Sequence, residues 1–186
     1  MSSSRLKNMV LTAFFIALAL LLPFLTGQIP QIGSMLSPMH IPVLLCGFVC
    51  GWPWGLIAGL VSPILRSFIF GMPPLMPMAL AMAFELAAYG AAAGLLYRLL
   101  HKKTLSIYIS LIAAMLIGRV VWGLVSIPLY AMFTDRTFAL AAFWAGGFIN
   151  AWPGIVLQIV LVPVIVFALE KAKLIPLQES SFSKGL

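Results

Sequence analysis

Between Lys7 and Arg66 the chain carries no Asp, Glu, Lys or Arg, and most of that stretch is apolar. A soluble domain places about a quarter of its residues as charges to keep its surface in water. Over all 186 residues this chain is 63% hydrophobic and 8% charged, with a mean hydropathy of +1.13. So apolar a surface excludes a soluble globular domain. A bilayer is the natural solvent, and the length suits one membrane domain of a few spans. The expected fold class is an all-α integral membrane protein.

A spanning helix needs about 20 residues at a rise of 1.5 Å each, and that ruler divides the chain into six spans. The first covers about 7–25. It opens like a signal peptide, with Arg5 and Lys7 before an apolar run, but the run 9–25 is long for one and no A-x-A site follows, so it is read as retained. A charge-free loop rich in Gly, Pro, Gln and Ser follows at 26–38. The apolar stretch 39–71 is too long for one span and breaks at Gly51-Trp52-Pro53, where Pro suits the first turn of a new helix. This gives short spans at 39–52 and 53–70. After the sharp turn Gly71-Met72-Pro73-Pro74 come a fourth span at 75–99, a loop holding Arg98, His101, Lys102 and Lys103, and a fifth span at 106–132. The polar turn Thr134-Asp135-Arg136-Thr137 leads through an interfacial segment to a sixth span at 147–171. Residues 1–175 then form a single membrane domain, and 176–186 a polar tail expected to be disordered.

Charge tests this division. The net charge is +7, from 11 basic and 4 acidic residues. Eight of the basic residues fall in three clusters: Arg5 and Lys7; Arg98, Lys102 and Lys103; Lys171, Lys173 and Lys184. The positive-inside rule puts all three clusters in the cytoplasm, so an even number of spans must separate them. Six spans divided four and two satisfy that, and predict both termini inside with loops 26–38, 71–74 and 133–138 outside. No basic face is interleaved with aromatic residues, which argues against nucleic-acid binding. Cys46 and Cys50 share one face of an apolar helix. They form no disulfide framework and no zinc site, and read as buried thiols.

Arg66, Glu85 and Arg119 fall inside the third, fourth and fifth spans. Ionisable groups at membrane depth cost several kcal/mol unless paired or wet. Two readings stand open: a structural Arg–Glu pair with a neighbouring Arg snorkelling outward, or a cavity open to the outside that all three residues face. One acid against two bases would leave a spare positive charge, which favours a substrate with an acidic or zwitterionic group. Tyr89 shares a helix face with Glu85, and Trp122 one with Arg119; Asn150 lies near the outer end of the sixth span. Rings that stack a ligand and amides that orient it are what a small-molecule pocket uses, although aromatic residues also fill cores and interfacial belts. Gln158 reads as an interhelical hydrogen bond. Small residues at four-residue spacing, Gly55 with Gly59 and Gly90 with Gly94, mark close helix contacts, as do Ala13 and Ala17 with Ala19 nearby.

Several chemistries find no support. His40 and His101 are the only histidines; there is no carboxylate pair for acid–base work and no His/Asp/Glu cluster for a metal. No Walker A sequence and no G-x-S-x-G occur. An enzyme is not expected, nor is a cofactor. A channel lacks a repeated filter segment, and no inverted repeat suggests a self-sufficient carrier. A structural or assembly membrane protein without a ligand, or a stand-alone facilitator, remains an alternative to a ligand-binding subunit.

Four stretches carry a family likeness over about residues 7–172. They are Met9-Val-Leu-Thr-Ala-Phe-Phe-Ile-Ala17; Ser37-Pro-Met-His-Ile-Pro-Val-Leu-Leu-Cys-Gly47 continuing through Gly51-Trp-Pro-Trp-Gly55 and Gly59-Leu-Val-Ser-Pro63; Gly71-Met-Pro-Pro with Pro77-Met-Ala-Leu-Ala-Met-Ala-Phe-Glu85-Leu and Tyr89-Gly90; and Asn150-Ala-Trp-Pro-Gly154 with Gln158 and Pro163. Together they resemble the S components, the substrate-binding subunits, of energy-coupling factor (ECF) transporters, which import vitamins and related micronutrients. The resemblance implies a six-helix bundle in the plasma membrane of a prokaryote, with both termini cytoplasmic. It implies an outward-facing substrate site closed by the loop 26–38, with contacts from Gln28 and Gln31, then Glu85 and Tyr89, Arg119 and Trp122, and Asn150; Arg66 is added from its depth. It also implies docking through Ala13 and Ala17 on a transmembrane coupling subunit energised by two cytoplasmic ATPases. The vitamin itself stays open among pantothenate, another carboxylate vitamin, a pyridoxine-like ring and a cobalamin-related compound.

Overall fold

The computed structural model describes residues 3–26, 35–100, 104–134 and 140–172. Helix α1 (Ser3–Leu21) tightens into a 3-10 turn over Leu22–Thr26, where Pro23 supplies no N–H for an α-helical bond. Helix α2 is His40–Cys50 and α3 is Trp52–Phe70. A π-helical turn at Leu75–Ala79 leads into α4, Leu80–Leu99. Helix α5 is Thr104–Phe133. The short α6 (Leu140–Trp144) runs into a second π-helical turn, Ala145–Ile149, and α7 is Trp152–Lys171. The described residues are helical with short connections, in agreement with the expected all-α membrane bundle. Gln28, Gln31 and most of the tail fall outside them.

Among the described residues, five segments are long and apolar enough to cross a bilayer: Arg5–Leu25, Trp52–Phe70, Leu75–Leu99, Leu105–Phe133 and Trp152–Lys171. The second expected span, 39–52, is instead the 11-residue α2, about 16 Å long against a hydrocarbon core of about 30 Å. It reaches only half-way across. All its residues but Val49 are buried, so protein rather than lipid surrounds it. Such a partial helix is tolerated because its unpaired backbone end lies inside the bundle. The sixth span itself starts at Trp152 rather than near 147.

The turns follow the residues the sequence supplies. Gly51 has φ 92°, its N–H bonds to the Gly47 carbonyl at 3.1 Å, and Pro53 follows in the first turn of α3. Gly71 closes α3 with φ 70° and a 2.9 Å bond to the Ser67 carbonyl. Both positions need the left-handed region that glycine enters without penalty.

The basic clusters that are described gather at one end of the bundle. The Asn8 side chain donates to the Cys50 carbonyl at 3.4 Å, placing the start of α1 beside the end of α2. Tyr97 donates its hydroxyl to Glu170, tying the end of α4 to the end of α7. Arg5, Lys7, Arg98 and Lys171 thus share this basic end. Between α2, α3 and α4 the backbones touch. A Cβ on Gly55 would sit 2.5 Å from the Gly90 carbonyl oxygen, and one on Gly94 2.5 Å from the Trp52 nitrogen. The expected small-residue contacts of α3 and α4 are therefore with each other. On α1, Ala19 is buried whereas Ala13 and Ala17 point away from the bundle.

Candidate functional site

One buried cluster joins three helices. Glu85 lies near the first third of α4, Arg119 half-way along α5, and His40 at the start of α2. All are less than a tenth exposed. Arg119 Nη1 donates to Glu85 Oε1 at 2.8 Å, and His40 Nε2 lies 3.5 Å from that same oxygen. The pair is charge-assisted and shielded from water, so separating it would strand a buried charge. His40 Nδ1 is 3.2 Å from the Ser37 carbonyl. A carbonyl only accepts, so Nδ1 is the donor in this bond, and Nε2 is turned toward Glu85. Ser37 itself has φ 45°, a conformation uncommon for a residue with a side chain. The connection 35–39 is held in place this way at the mouth of α2.

Rings surround the pair. Tyr89, one turn after Glu85, lies flat enough on α5 that a Cβ on Gly118 would strike its ring at 2.6 Å. It meets the His40 ring edge-on, with centroids 5.0 Å apart at 88°. Trp122, one turn after Arg119, stacks on Phe143 at 6.1 Å and 24°. A Cβ on Gly146 would touch Trp122 at 3.0 Å, and one on Gly147 would lie 3.8 Å from Arg119 Cδ. Gly146 therefore lets the segment 140–149 lie close over Trp122, whereas at Gly147 an added Cβ would make only ordinary contact with Arg119. On the other side, Gly154 lets the Met35 and Leu36 carbonyls sit on the first turn of α7. Tyr89 and Arg119 also border a cavity of about 120 Å³ between α5 and α7, whose other walls are Ile, Met, Leu and Phe side chains.

Of the residues singled out from the sequence, the fold brings together Glu85, Tyr89, Arg119 and Trp122. Arg66 is engaged elsewhere. Its Nη1 donates to the Leu20 carbonyl at 2.7 Å, and its guanidinium lies 5.4 Å from the centroids of both Phe24 and Phe70. It satisfies a carbonyl that α1 leaves unpaired at its end and stacks on two rings. The spare positive charge expected beside Glu85 is thereby removed from the site. Asn150 is exposed in the turn before α7, with its backbone N–H on the Ala145 carbonyl at 2.8 Å. Gln158 is 1% exposed, and neither atom of its amide has a partner among the described residues, so the expected interhelical bond is not among them.

His40 was not a sequence candidate, because it reads as an ordinary helix entrance. The available signal was its solitude: it is the only titratable side chain other than the thiols of Cys46 and Cys50 between Lys7 and Arg66. No group of three His, Cys, Asp or Glu side chains able to hold a metal ion occurs among the described residues. The cluster offers hydrogen bonds, a buried ion pair and aromatic faces, which suits binding.

A family model described as ECF transporter, substrate-specific component, matches residues 7–166. No curated protein and no solved structure matches the chain.

Proposed function

The chain belongs to the substrate-specific components of ECF transporters, and on that premise we propose that it captures a vitamin-like micronutrient from outside the cell for import. Members of this family are transporter subunits rather than enzymes, and they act with a coupling module and its ATPases. The observation that carries the reading is the buried cluster of His40, Glu85 and Arg119, ringed by Tyr89 and Trp122, in a bundle otherwise almost without charge.

Orientation follows from the basic end. Arg5, Lys7, Arg98 and Lys171 face the cytoplasm by the positive-inside rule, so both termini lie there. Glu85 is fourteen residues before Leu99, about 21 Å from that end, and thus beyond the bilayer centre toward the outside. Gln28 and Gln31, which lie between α1 and α2 in the sequence, are proposed to add substrate contacts at this outer end. Substrate is captured there. The outward face of α1, with Ala13 and Ala17 between Val10, Phe14 and Leu21, docks on the transmembrane coupling subunit. ATP hydrolysis by the two cytoplasmic ATPases then reorients the loaded subunit.

Two measurements test this. The protein expressed with a coupling module should co-purify with it, and mass spectrometry of the denatured complex should release one small molecule in near-stoichiometric amount. A chain that binds neither module nor small molecule would leave the intramembrane charges as interhelical glue in a structural protein.

A further inference from the structure

We propose that His40 is a proton-operated latch on the outer entrance: with both ring nitrogens protonated it ties the connection 35–39 to Glu85, and with one proton gone it lets go at one end. The inference rests on the outward orientation proposed above and adds control of that entrance by the acidity of the outer aqueous phase.

The ring meets an acceptor at each nitrogen. Nδ1 is 3.2 Å from the Ser37 carbonyl, and Nε2 is 3.5 Å from Glu85 Oε1, whose carboxylate is ion-paired with Arg119 at 2.8 Å. A neutral imidazole has one N–H and an imidazolium two, so only the charged ring serves both acceptors. A neutral ring that keeps Ser37 turns a bare nitrogen on a carboxylate oxygen; one that keeps Glu85 abandons Ser37. Nε2 has no hydrogen-bond partner among the described residues, and the residue is 3% exposed, so bulk water does not make up a lost tie.

The tie holds a piece of backbone that needs holding. The Ser37 carbonyl accepts twice from His40, from the ring and from the main-chain N–H at 3.1 Å. Ser37 has φ 45°, a conformation that persists only while its surroundings impose it. The neighbouring Met35 and Leu36 carbonyls rest against α7 at Gly154, where an added Cβ would come within 2.6 and 2.7 Å of them. Releasing Ser37 therefore loosens the segment that covers the first turn of α7.

Few groups compete for the proton. From α4 the ring faces Glu85 and, edge-on at 5.0 Å, Tyr89; from α5 it faces Arg119 across Glu85. Arg66 of α3 is turned to the Leu20 carbonyl, Cys46 of α2 to Thr12 on α1, and Glu170 of α7 to Tyr97 at the basic end. The π-helical turn 75–79 carries no titratable side chain. The proton thus answers to one anion, Glu85, and one cation, Arg119. Its sign is fixed: the entrance is held at low pH and loosened as the pH rises through the titration of the ring.

The test uses the full chain in lipid nanodiscs. His101→Gln leaves His40 as the only histidine, so nitrogen-15 NMR of labelled histidine reads the ring directly. A spin label at Met35→Cys, with Cys46→Ala and Cys50→Ala, reads the connection; a label at Ile109→Cys, on the lipid-facing side of α5 (46% exposed), is the control. Between about pH 5 and about pH 8, where imidazole changes charge, two N–H groups should become one, and the Met35 label should gain mobility with the same midpoint while the Ile109 label does not change. His40→Gln, which carries no titrating proton, should remove the step. A ring with the same number of N–H groups across the range, a Met35 label that ignores the titration, or a step that survives in His40→Gln overturns the inference. These readings use no substrate, so a chain that passes them yet co-purifies with neither coupling module nor small molecule loses the import function and keeps the latch.

Discussion

The two sides of this bundle are packed by different means. Where α2, α3 and α4 meet, backbone lies on backbone, and the Cβ atoms missing at Gly47, Gly55, Gly59 and Gly90 would each collide with a neighbouring main chain. Where α5 and α7 face each other, large flexible side chains meet across a cavity. Glycine contacts fix two helices to within a few tenths of an ångström, because main chain cannot be repacked by a rotamer change. Long aliphatic side chains leave the spacing adjustable. The ion pair spans the divide, with Glu85 on the fixed side and Arg119 on the adjustable one. A binding site assembled so has one wall held in register and another free to conform to its ligand.

Four perturbations would break or sharpen that contrast. The largest effect is expected at the bridge: Arg119→Leu leaves Glu85 buried without its cation and should cost about 4 kcal/mol, read as early unfolding in detergent, together with loss of ligand binding. Restoring an uncharged pair with Glu85→Gln on that background should recover most of the stability but not the binding; a double variant as unstable as the single one would remove the ion pair from the account. Next comes the fixed side. Gly55→Ala should destabilise by about 2–3 kcal/mol, whereas Ile155→Val on the adjustable side should cost about 1 kcal/mol. Equal losses would erase the distinction between the two sides. A smaller effect, about 1.5 kcal/mol, is expected for Arg66→Leu, which frees the Leu20 carbonyl; ligand affinity should stay within about two-fold, and a large drop would return Arg66 to the site. Smallest in stability is Ala13→Leu with Ala17→Leu, expected within about 0.5 kcal/mol because both side chains point outward. Ligand binding should persist while uptake fails, and uptake at the wild-type rate would move the docking face elsewhere.

Much of the fold was legible because hydropathy and helix length are one-dimensional quantities. The long helices lie close to the positions expected for them, and the break at Gly51 follows directly from a glycine and a proline in sequence. The half-length of α2 was not legible. An apolar run that continues past a helix start looks the same whether it is lipid-facing or wrapped by protein, and only the neighbours around His40 decide which. Within the site, Glu85 with Tyr89 and Arg119 with Trp122 were legible because helical spacing puts each pair on one face. Spacing says nothing of which way a face turns in the bundle. Arg66 therefore had the expected depth but turned toward α1, and His40, placed at a helix entrance, was not assigned to the site.

The shortness of α2 also bears on how the protein is made. A helix of 11 residues cannot be laid into a bilayer on its own, because its open end would leave unpaired carbonyl and amide groups in hydrocarbon. It has to enter with α3 as a hairpin closed at Gly51, and it gains its cover only when the glycine face of α4 arrives behind it. The burial of α2 therefore depends on α4, a helix that the ribosome makes after it.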